Sequence, residues 1–203
     1  MATTAAAAAD NALSALATHI QAAQPRRPPP APQTTAHHAL ALQVQHNLRH
    51  QHQWSAVRLH THSPLAPHAP LPRPLLSGLP PRRLYTHPDE QMELLKEEAA
   101  KRRRSKGGEA VEAVEPAPER EWVLPSHLRE RWTLRRMADV FDAVGDVPPR
   151  TPVGEDGGDD GDDGAERPNK WRTTKRVVLA ILEDDSTVVY YLVHDGLVKP
   201  RQN

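Results

Sequence analysis

The chain contains no cysteine, which excludes disulfide bonds, thiolate metal ligands and a cysteine nucleophile. Aromatic residues make up only 4% of its 203 residues, so the hydrophobic core must be small and must draw on few segments. No apolar run approaches the roughly 20 residues of a membrane-spanning helix. The Ala-rich start also lacks the basic part and the long apolar part of a secretory signal. We therefore expect a small domain without a membrane-spanning segment.

Common catalytic signatures are missing as well. The sequence has no HExxH, no GxSxG and no Gly-rich phosphate loop with a lysine. His46 and His50 lie four apart and His60 and His62 two apart, spacings that metal ligands can use. No third ligand is indicated for either pair. We expect no metal, no cofactor and no catalytic residue.

The formal net charge is zero, but the charges are segregated along the chain. Residues 155–166 carry seven acidic residues and no basic one. Gly–Asp repeats of this kind are usually disordered, and one hypothesis is that this segment docks on a basic pocket of another subunit. The residues of this candidate docking loop are Asp156, Asp159, Asp160, Asp162 and Asp163.

A basic run closes a predicted helix near residue 104. It suits the negative end of that helix, and it also fits a nuclear import signal or a contact with RNA phosphates. These three interpretations are compatible with one another. The residues of the run are Lys101, Arg102, Arg103, Arg104 and Lys106.

Proline and charge divide the chain into a tail and one domain. Residues 1–35 are rich in Ala and Pro, and the stretch 25–32 forbids a continuing helix because proline lacks the N–H. We expect a disordered tail there and a mixed α/β domain over 36–203, a small sheet flanked by helices. Two disordered insertions are predicted. One, at 105–119, follows the basic run, and the other, at 146–169, contains the acidic segment.

Hydrophobic periodicity predicts three helices. Leu40, Val44 and Leu48 recur at a spacing of four and form one apolar stripe of the first helix. A second helix begins at Pro88, because proline fits the first turn of a helix. A third covers 134–144, where Leu134, Met137, Ala138, Phe141 and Val144 share one face.

Alternation and β-branched residues predict the strands. Residues 55–62 alternate, and 121–125 form a short strand that ends at a proline. Residues 176–182 are one unbroken apolar run, typical of a strand buried on both faces. A turn at 184–186 and a strand over 187–194 complete a β-hairpin.

The segments around these elements receive weaker predictions. Residues 64–81 hold seven prolines, which indicates an irregular surface loop. Residues 83–86 are a candidate short strand, and Ser126 is a candidate cap for a turn or helix through Trp132.

The last strand is the strongest candidate for a contact with a partner. Val188, Tyr190 and Leu192 lie on one face and Val189, Tyr191 and Val193 on the other, because side chains alternate along a strand. Both faces are apolar and so need cover; helix 134–144 can cover one and a partner subunit the other. Core packing on one side is the alternative for either tyrosine, and which face points inward stays open. The candidate partner-binding residues are Val189, Tyr190, Tyr191, Val193 and His194.

The C-terminal run Asp184–Asn203 resembles the terminus of the small non-catalytic subunit of the tRNA-splicing endonuclease. The resemblance covers residues 37–203, with the insertions unmatched. Shorter segments resemble the fungal members of that family: residues 46–54, 60–64, 79–83, 85–91, and 121–125 with 127–129.

This resemblance implies an endonuclease-like α/β domain, shared by the four core subunits of a heterotetramer that removes introns from pre-tRNA. Two of those subunits carry a Tyr–His–Lys active site, whereas Tyr85 and His87 here lack its glycine-rich context. The chain is thus expected to be a structural subunit that reaches pre-tRNA through the complex and pairs with a catalytic subunit through C-terminal strands. The alternatives are a stand-alone RNA-binding or scaffold protein and, after it, a lone enzyme. The expected location is the nucleus, with the cytoplasm or the mitochondrial outer surface as alternatives.

Overall fold

The computed structural model describes residues 32–66, 69–104, 116–149 and 169–197. Within these ranges three helices accompany five strands, and no helix combines the length and the apolarity needed to cross a lipid bilayer. The elements are α1 (Pro32–His50), β1 (Ser55–His62), β2 (Pro70–Leu79), α2 (Pro88–Arg104), β3 (Glu121–His127), α3 (Leu134–Ala143), β4 (Arg176–Leu182) and β5 (Val188–His194).

The five strands form one mixed sheet in the order β1-β2-β3-β4-β5. Neighbouring strands are antiparallel except β3 and β4, which are parallel from Trp122 opposite Val177 to His127 opposite Leu182. A parallel pair needs a long crossover connection, and the segment that contains α3 supplies it. The predicted α/β architecture with a small mixed sheet is confirmed.

The sheet buries apolar side chains on both faces. On one face, which we call the α1 face, Val123 packs with Val44 and other residues of α1. On the opposite face, the α3 face, Trp122 and Leu124 pack with Phe141 of α3. Consecutive residues of β3 thus serve opposite cores, as strand alternation requires.

Predictions that depended on local periodicity are confirmed for most elements. The stripe Leu40, Val44 and Leu48 is buried along α1. The bounds of β1 and β4 are those predicted, and β5 begins one residue later than expected. Most of β4 is buried, since its side chains enter both cores.

The third helix departs from its predicted stripe. Thr133 caps it by accepting a hydrogen bond from a backbone N–H of the first turn, and Val140 and Phe141 are buried. Leu134 is exposed by 92% and Ala138 is also exposed, so the predicted apolar face is not buried along its whole length. The helix packs through its C-terminal half, and its first turn lies against solvent.

The predicted loop over 64–81 was wrong, because the segment contains β2. Its prolines were read as excluding a strand, yet Pro70, Pro72 and Pro74 lie outside the part of β2 that pairs with β3. A register shift in β1, where His60 pairs with Leu75 and His62 with Pro70, absorbs them. Proline is tolerated at such edges and bulges because no ladder hydrogen bond is lost there.

Three smaller expectations were also wrong. Residues 83–86 form no strand, and β3 continues through Pro125 to His127. Pro125 is accommodated because the residue pairs of β3 with β2 end at Val123. Ser126 lies within β3 and caps no helix; its hydroxyl accepts a hydrogen bond from the Trp132 indole at 2.8 Å.

A buried ion network joins the starts of β3 and β4. Glu121 is fully buried, and its carboxylate accepts hydrogen bonds from Arg176 Nε at 3.0 Å and from Arg172 Nη2 at 3.2 Å. Arg176 also donates to Glu119 at 2.5 Å, and Asn169 donates to Glu119 at 2.7 Å. The parallel register brings these groups together, because it sets residue 121 beside residue 176.

We expect Glu121→Gln to lower the free energy of unfolding by about 3 kcal/mol, because it leaves the buried Arg172 and Arg176 with Glu119 as their one remaining carboxylate. Urea denaturation monitored by circular dichroism measures this loss. Glu93→Gln is the matched control, since it breaks the solvent-exposed pair with Lys170 and should cost less than about 1 kcal/mol. Equal losses in the two variants would contradict a structural role for the buried network.

His60 makes the stability depend on pH. Its ring packs edge-on against Trp122, and its Nε2 is 2.8 Å from the Ser77 hydroxyl. Burial, followed by the nearby Arg58 and Arg120, lowers the pKa of His60 from 6.5 to about 4. Because the folded pKa lies below the unfolded value, the unfolded state binds more protons between these two values, and stability is lost as the pH falls through that window.

We expect His60 to account for a loss of about 2 kcal/mol in unfolding free energy between pH 7.5 and pH 5. His60→Gln keeps a partner for Ser77 but does not titrate, so it should remove this share of the pH dependence. His62→Gln, an exposed position on the same strand, is the control and should leave the dependence unchanged. Urea titrations at both pH values decide between them.

Candidate subunit interface

The last strand is an unprotected edge of the sheet. β5 pairs with β4 through seven consecutive residue pairs without a register shift, and no other described strand lies beyond it. The opposite edge strand, β1, is interrupted by register shifts. Residues 188–193 include no charge and no proline, the features that usually blunt an edge. β5 is therefore available for pairing with another chain.

Tyr190 points inward, to the α1 face. Its ring packs against the core of that face and lies edge-on to His52 at 5.0 Å. Its hydroxyl donates a hydrogen bond to Asn47 Oδ1 at 2.5 Å, and burial raises the pKa of Tyr190. Tyr190 thus links β5 to α1. Of the two alternatives given for this tyrosine, the structure shows packing in the core.

Tyr191 and Val189 point outward, on the α3 face, and are exposed by 54% and 45%. They stand opposite Leu179 and Ile181 of β4, so the four side chains form one apolar ladder. Helix α3 lies on this face, but it packs mainly on β2, which is near the opposite edge of the sheet. The described residues consequently cover only half of the ladder.

The helix that covers the inner face of β5 is not the one that was expected. Helix 134–144 was expected to cover one face of β5 and a partner the other. Cover of the inner face comes instead from α1, while α3 shares the outer face with the ladder. Val193, also predicted for the interface, is half-buried and packs at the border of the α3-face core.

His194 lies apart from the ladder, in a small cleft. Its ring contacts the Tyr85 ring edge-on at 4.8 Å, and its Nδ1 is 3.4 Å from the Thr174 hydroxyl. Burial, followed by Arg176 and Arg172, lowers the pKa of His194. The neutral ring suits packing at the end of the sheet more than contact with an outside partner.

The other predicted sites are only partly described. The acidic segment with Asp156, Asp159, Asp160, Asp162 and Asp163 lies outside the described residues, as does Lys106. Lys101, Arg102 and Arg103 are exposed at the end of α2, where Arg102 pairs with Glu98 at 2.7 Å. Arg104 is the last residue of that helix.

Leu179 and Ile181 were missed as interface candidates, because the apolar run of β4 was read as buried on both faces. The hairpin itself carried the signal. Counting outward from the turn at 184–186 places Ile181 opposite Val189 and Leu179 opposite Tyr191. A half-covered residue on β5 therefore implies a half-covered neighbour on β4.

The ladder is suited to binding and not to chemistry. Its side chains are aliphatic or aromatic, and burial of one such side chain contributes about 1.5–3 kcal/mol. Tyrosine is enriched at protein interfaces. An edge strand flanked by such a ladder offers backbone hydrogen bonds and apolar area to one extended partner segment.

Sequence comparison shows which known proteins the chain resembles. The family model described as "Sen15 protein" matches residues 43–154 and 162–203. The chain is 43% identical over 168 residues to the "Probable tRNA-splicing endonuclease subunit tsp-1" of Neurospora crassa, across 81% of this chain and 66% of that protein. It is 34% identical over 83 residues to the "Probable tRNA-splicing endonuclease subunit sen15" of Schizosaccharomyces pombe, across 41% of this chain and 50% of that protein.

A shorter match of 29 residues, 69% identical, relates the chain to the "tRNA-splicing endonuclease subunit SEN15" of Eremothecium gossypii, across 14% of this chain and 25% of that protein. The chain thus spans just under two thirds of the Neurospora protein and half or less of the other two. The family model, in contrast, matches well over half of the chain. The chain belongs to the Sen15 protein family.

Proposed function

We propose that this chain is a non-catalytic subunit of a tRNA-splicing endonuclease, which supports intron excision from pre-tRNA by pairing with a catalytic subunit. The observation that carries the proposal is the uncovered edge strand β5 with its apolar ladder. Membership of the Sen15 family, whose relatives are named as subunits of that enzyme, supports another subunit of the same enzyme as the partner. The pre-tRNA is reached through the assembled complex, in which such subunits form a heterotetramer.

The environments of candidate catalytic groups support a non-catalytic role. Tyr85 packs its ring on the Arg176 guanidinium at 5.5 Å and on His194. Lys175 donates to the Phe141 carbonyl at 2.8 Å. A Tyr, a His and a Lys are therefore present near β4, but each is engaged in holding the fold together, and general acid–base catalysis needs groups free to reach a substrate.

Two further features belong to the same proposal. The acidic segment 155–166 docks on a basic surface of another subunit, supported by its seven acids without a base. The basic run that ends α2 favours import into the nucleus, supported by the exposure of Lys101, Arg102 and Arg103. Neither feature is needed for the pairing through β5.

We expect Tyr191→Asp to abolish co-purification of the catalytic partner while the isolated chain stays folded. The aspartate places a charge in the middle of the ladder, and loss of one interface anchor costs about 2 kcal/mol or more. Affinity purification of the tagged chain from its own cells, with identification of the captured proteins, measures the first effect. Thermal unfolding of the purified chain measures the second.

Two control variants sharpen this experiment. Leu134→Asp removes an apolar side chain that is 92% exposed on α3 and should leave both capture and folding intact. Tyr190→Asp breaks the hydrogen bond to Asn47 and places a charge in the core, so it should unfold the chain. Capture that survives Tyr191→Asp would reject pairing through β5, and capture of no endonuclease subunit by the unaltered chain would favour the stand-alone scaffold.

The purified chain alone should not cleave intron-containing pre-tRNA, because Tyr85, His194 and Lys175 are engaged in contacts within the fold. Incubation with labelled pre-tRNA and separation of the products on a gel tests this expectation. The purified complex, which contains its catalytic subunits, is the positive control. Cleavage by the chain alone that disappears in His194→Gln would show that the subunit is an enzyme.

A further inference from the structure

A cluster of arginines surrounds the start of α3. Arg131, Arg135 and Arg136 lie within six residues, and the side chains of all three are exposed. The first turn of α3 contains no acidic residue, although acids are the residues that complement the positive N-terminal end of a helix. The chain thus places cations where its own backbone already makes the potential positive.

Arg73 reaches the same cluster from β2 and is almost fully buried, with 5% of its surface exposed. Its Nη1 donates to Glu130 Oε1 at 2.7 Å, but its Nε and Nη2 have no hydrogen-bond partner within the described part of the chain. Its guanidinium lies 5.1 Å from the centre of the Trp132 ring, and that of Arg136 lies 4.8 Å from it. A buried cation with unused donors is costly unless an anion compensates it.

Glu130 is the carboxylate that the cluster shares. It accepts from Arg73 and from Arg136 Nη2 at 2.6 Å, and His37 Nε2 lies 3.9 Å away. Burial opposes ionisation of Glu130, but the hydrogen bonds from Arg73 and Arg136 hold its pKa below the ordinary value. Burial, followed by Arg73, lowers the pKa of His37, as expected beside an excess of positive charge.

The balance of charge in the cluster is therefore positive. Arg131 and Arg135 form no ion pair with a described carboxylate, while one glutamate serves two other arginines. Arg129 next to the cluster is already paired with Asp184. His37 lies in the second turn of α1, so its contact with Glu130 brings that part of α1 close to the cluster.

We propose that the exposed Arg131, Arg135 and Arg136, called here the α3 arginine surface, bind the phosphate backbone of the RNA substrate directly, while the buried Arg73 beneath them adds positive charge. The proposal rests on the proposed function, because a pre-tRNA is the anion that the complex handles. Guanidinium groups bind phosphate oxygens through paired hydrogen bonds, and a helix N-terminus adds backbone donors to such a site. β2, which carries Arg73, and the edge strand β5 are separated by two strands, so RNA and partner use different parts of the sheet.

The test measures RNA binding by the purified full chain with a fluorescently labelled, intron-containing pre-tRNA at several salt concentrations between 50 and 200 mM. The variant is Arg131→Gln combined with Arg135→Gln, two exposed side chains without a described carboxylate partner. The matched control is Arg82→Gln combined with Lys96→Gln, two exposed side chains outside every predicted binding site, which changes the net charge equally.

We expect the arginine variant to bind RNA about five- to tenfold more weakly, and its slope of log affinity against log salt to fall by roughly 1.4–1.8, the value for two lost phosphate contacts. The control should change neither quantity by as much. Equal losses in the two variants, or no measurable binding by the unaltered chain at 50 mM salt, would overturn the proposal.

Two further arms separate this proposal from its alternatives. A synthetic peptide of residues 154–166 tests whether the surface binds an acidic protein segment; loss of peptide binding with unchanged RNA binding would overturn the RNA contact. Capture of the catalytic partner is measured for the same arginine variant and should remain intact. If capture persists while RNA affinity is unaltered, the RNA contact is rejected and the proposed subunit function stands.

Discussion

The parallel pairing of β3 with β4 is the contact on which the rest of the sheet depends. Both strands are apolar on both faces, so each must be covered twice. Their register also sets Glu121 beside Arg176, in a region where an unpaired charge would be costly. A slip of one residue would separate these ions and exchange the residues of the two cores. Apolar and ionic demands therefore select the same register.

The two cores that follow from this pairing are covered unequally. Helix α1 contacts β1 to β4 and receives Tyr190 of β5, so the α1 face is closed across the whole sheet. Helix α3 is only 10 residues long and packs mainly on β2. No described element covers the outer part of the α3 face at β4 and β5, which is why the apolar ladder is exposed there. The candidate interface thus arises from the shortness of one helix.

The parts of this fold that the sequence predicted are those governed by a local hydrophobic pattern. β1 follows from a spacing of two residues, β4 from an unbroken apolar run, and α1 from the spacing of four between Leu40, Val44 and Leu48. β2 was not predicted, because its prolines fit a strand only where the pairing register with β1 shifts. Such a shift is a tertiary feature that local sequence does not show. Alternation also placed Tyr190 and Tyr191 on opposite faces but could not orient them. Tyr190 faces inward in part because its hydroxyl donates a hydrogen bond to Asn47, which lies 143 residues earlier in the chain.

The two proposed surfaces share one physical property, since each carries a cost that a partner can remove. The ladder exposes apolar area around Tyr191, and the arginines at the start of α3 outnumber the one glutamate that they share. Both features reduce the stability of a small domain whose stability is marginal. On the proposals above, a protein partner would cover the ladder and RNA phosphates would neutralise the arginines. Binding of either partner to the folded state would stabilise it, which would link the folding of the chain to its proposed role as a subunit.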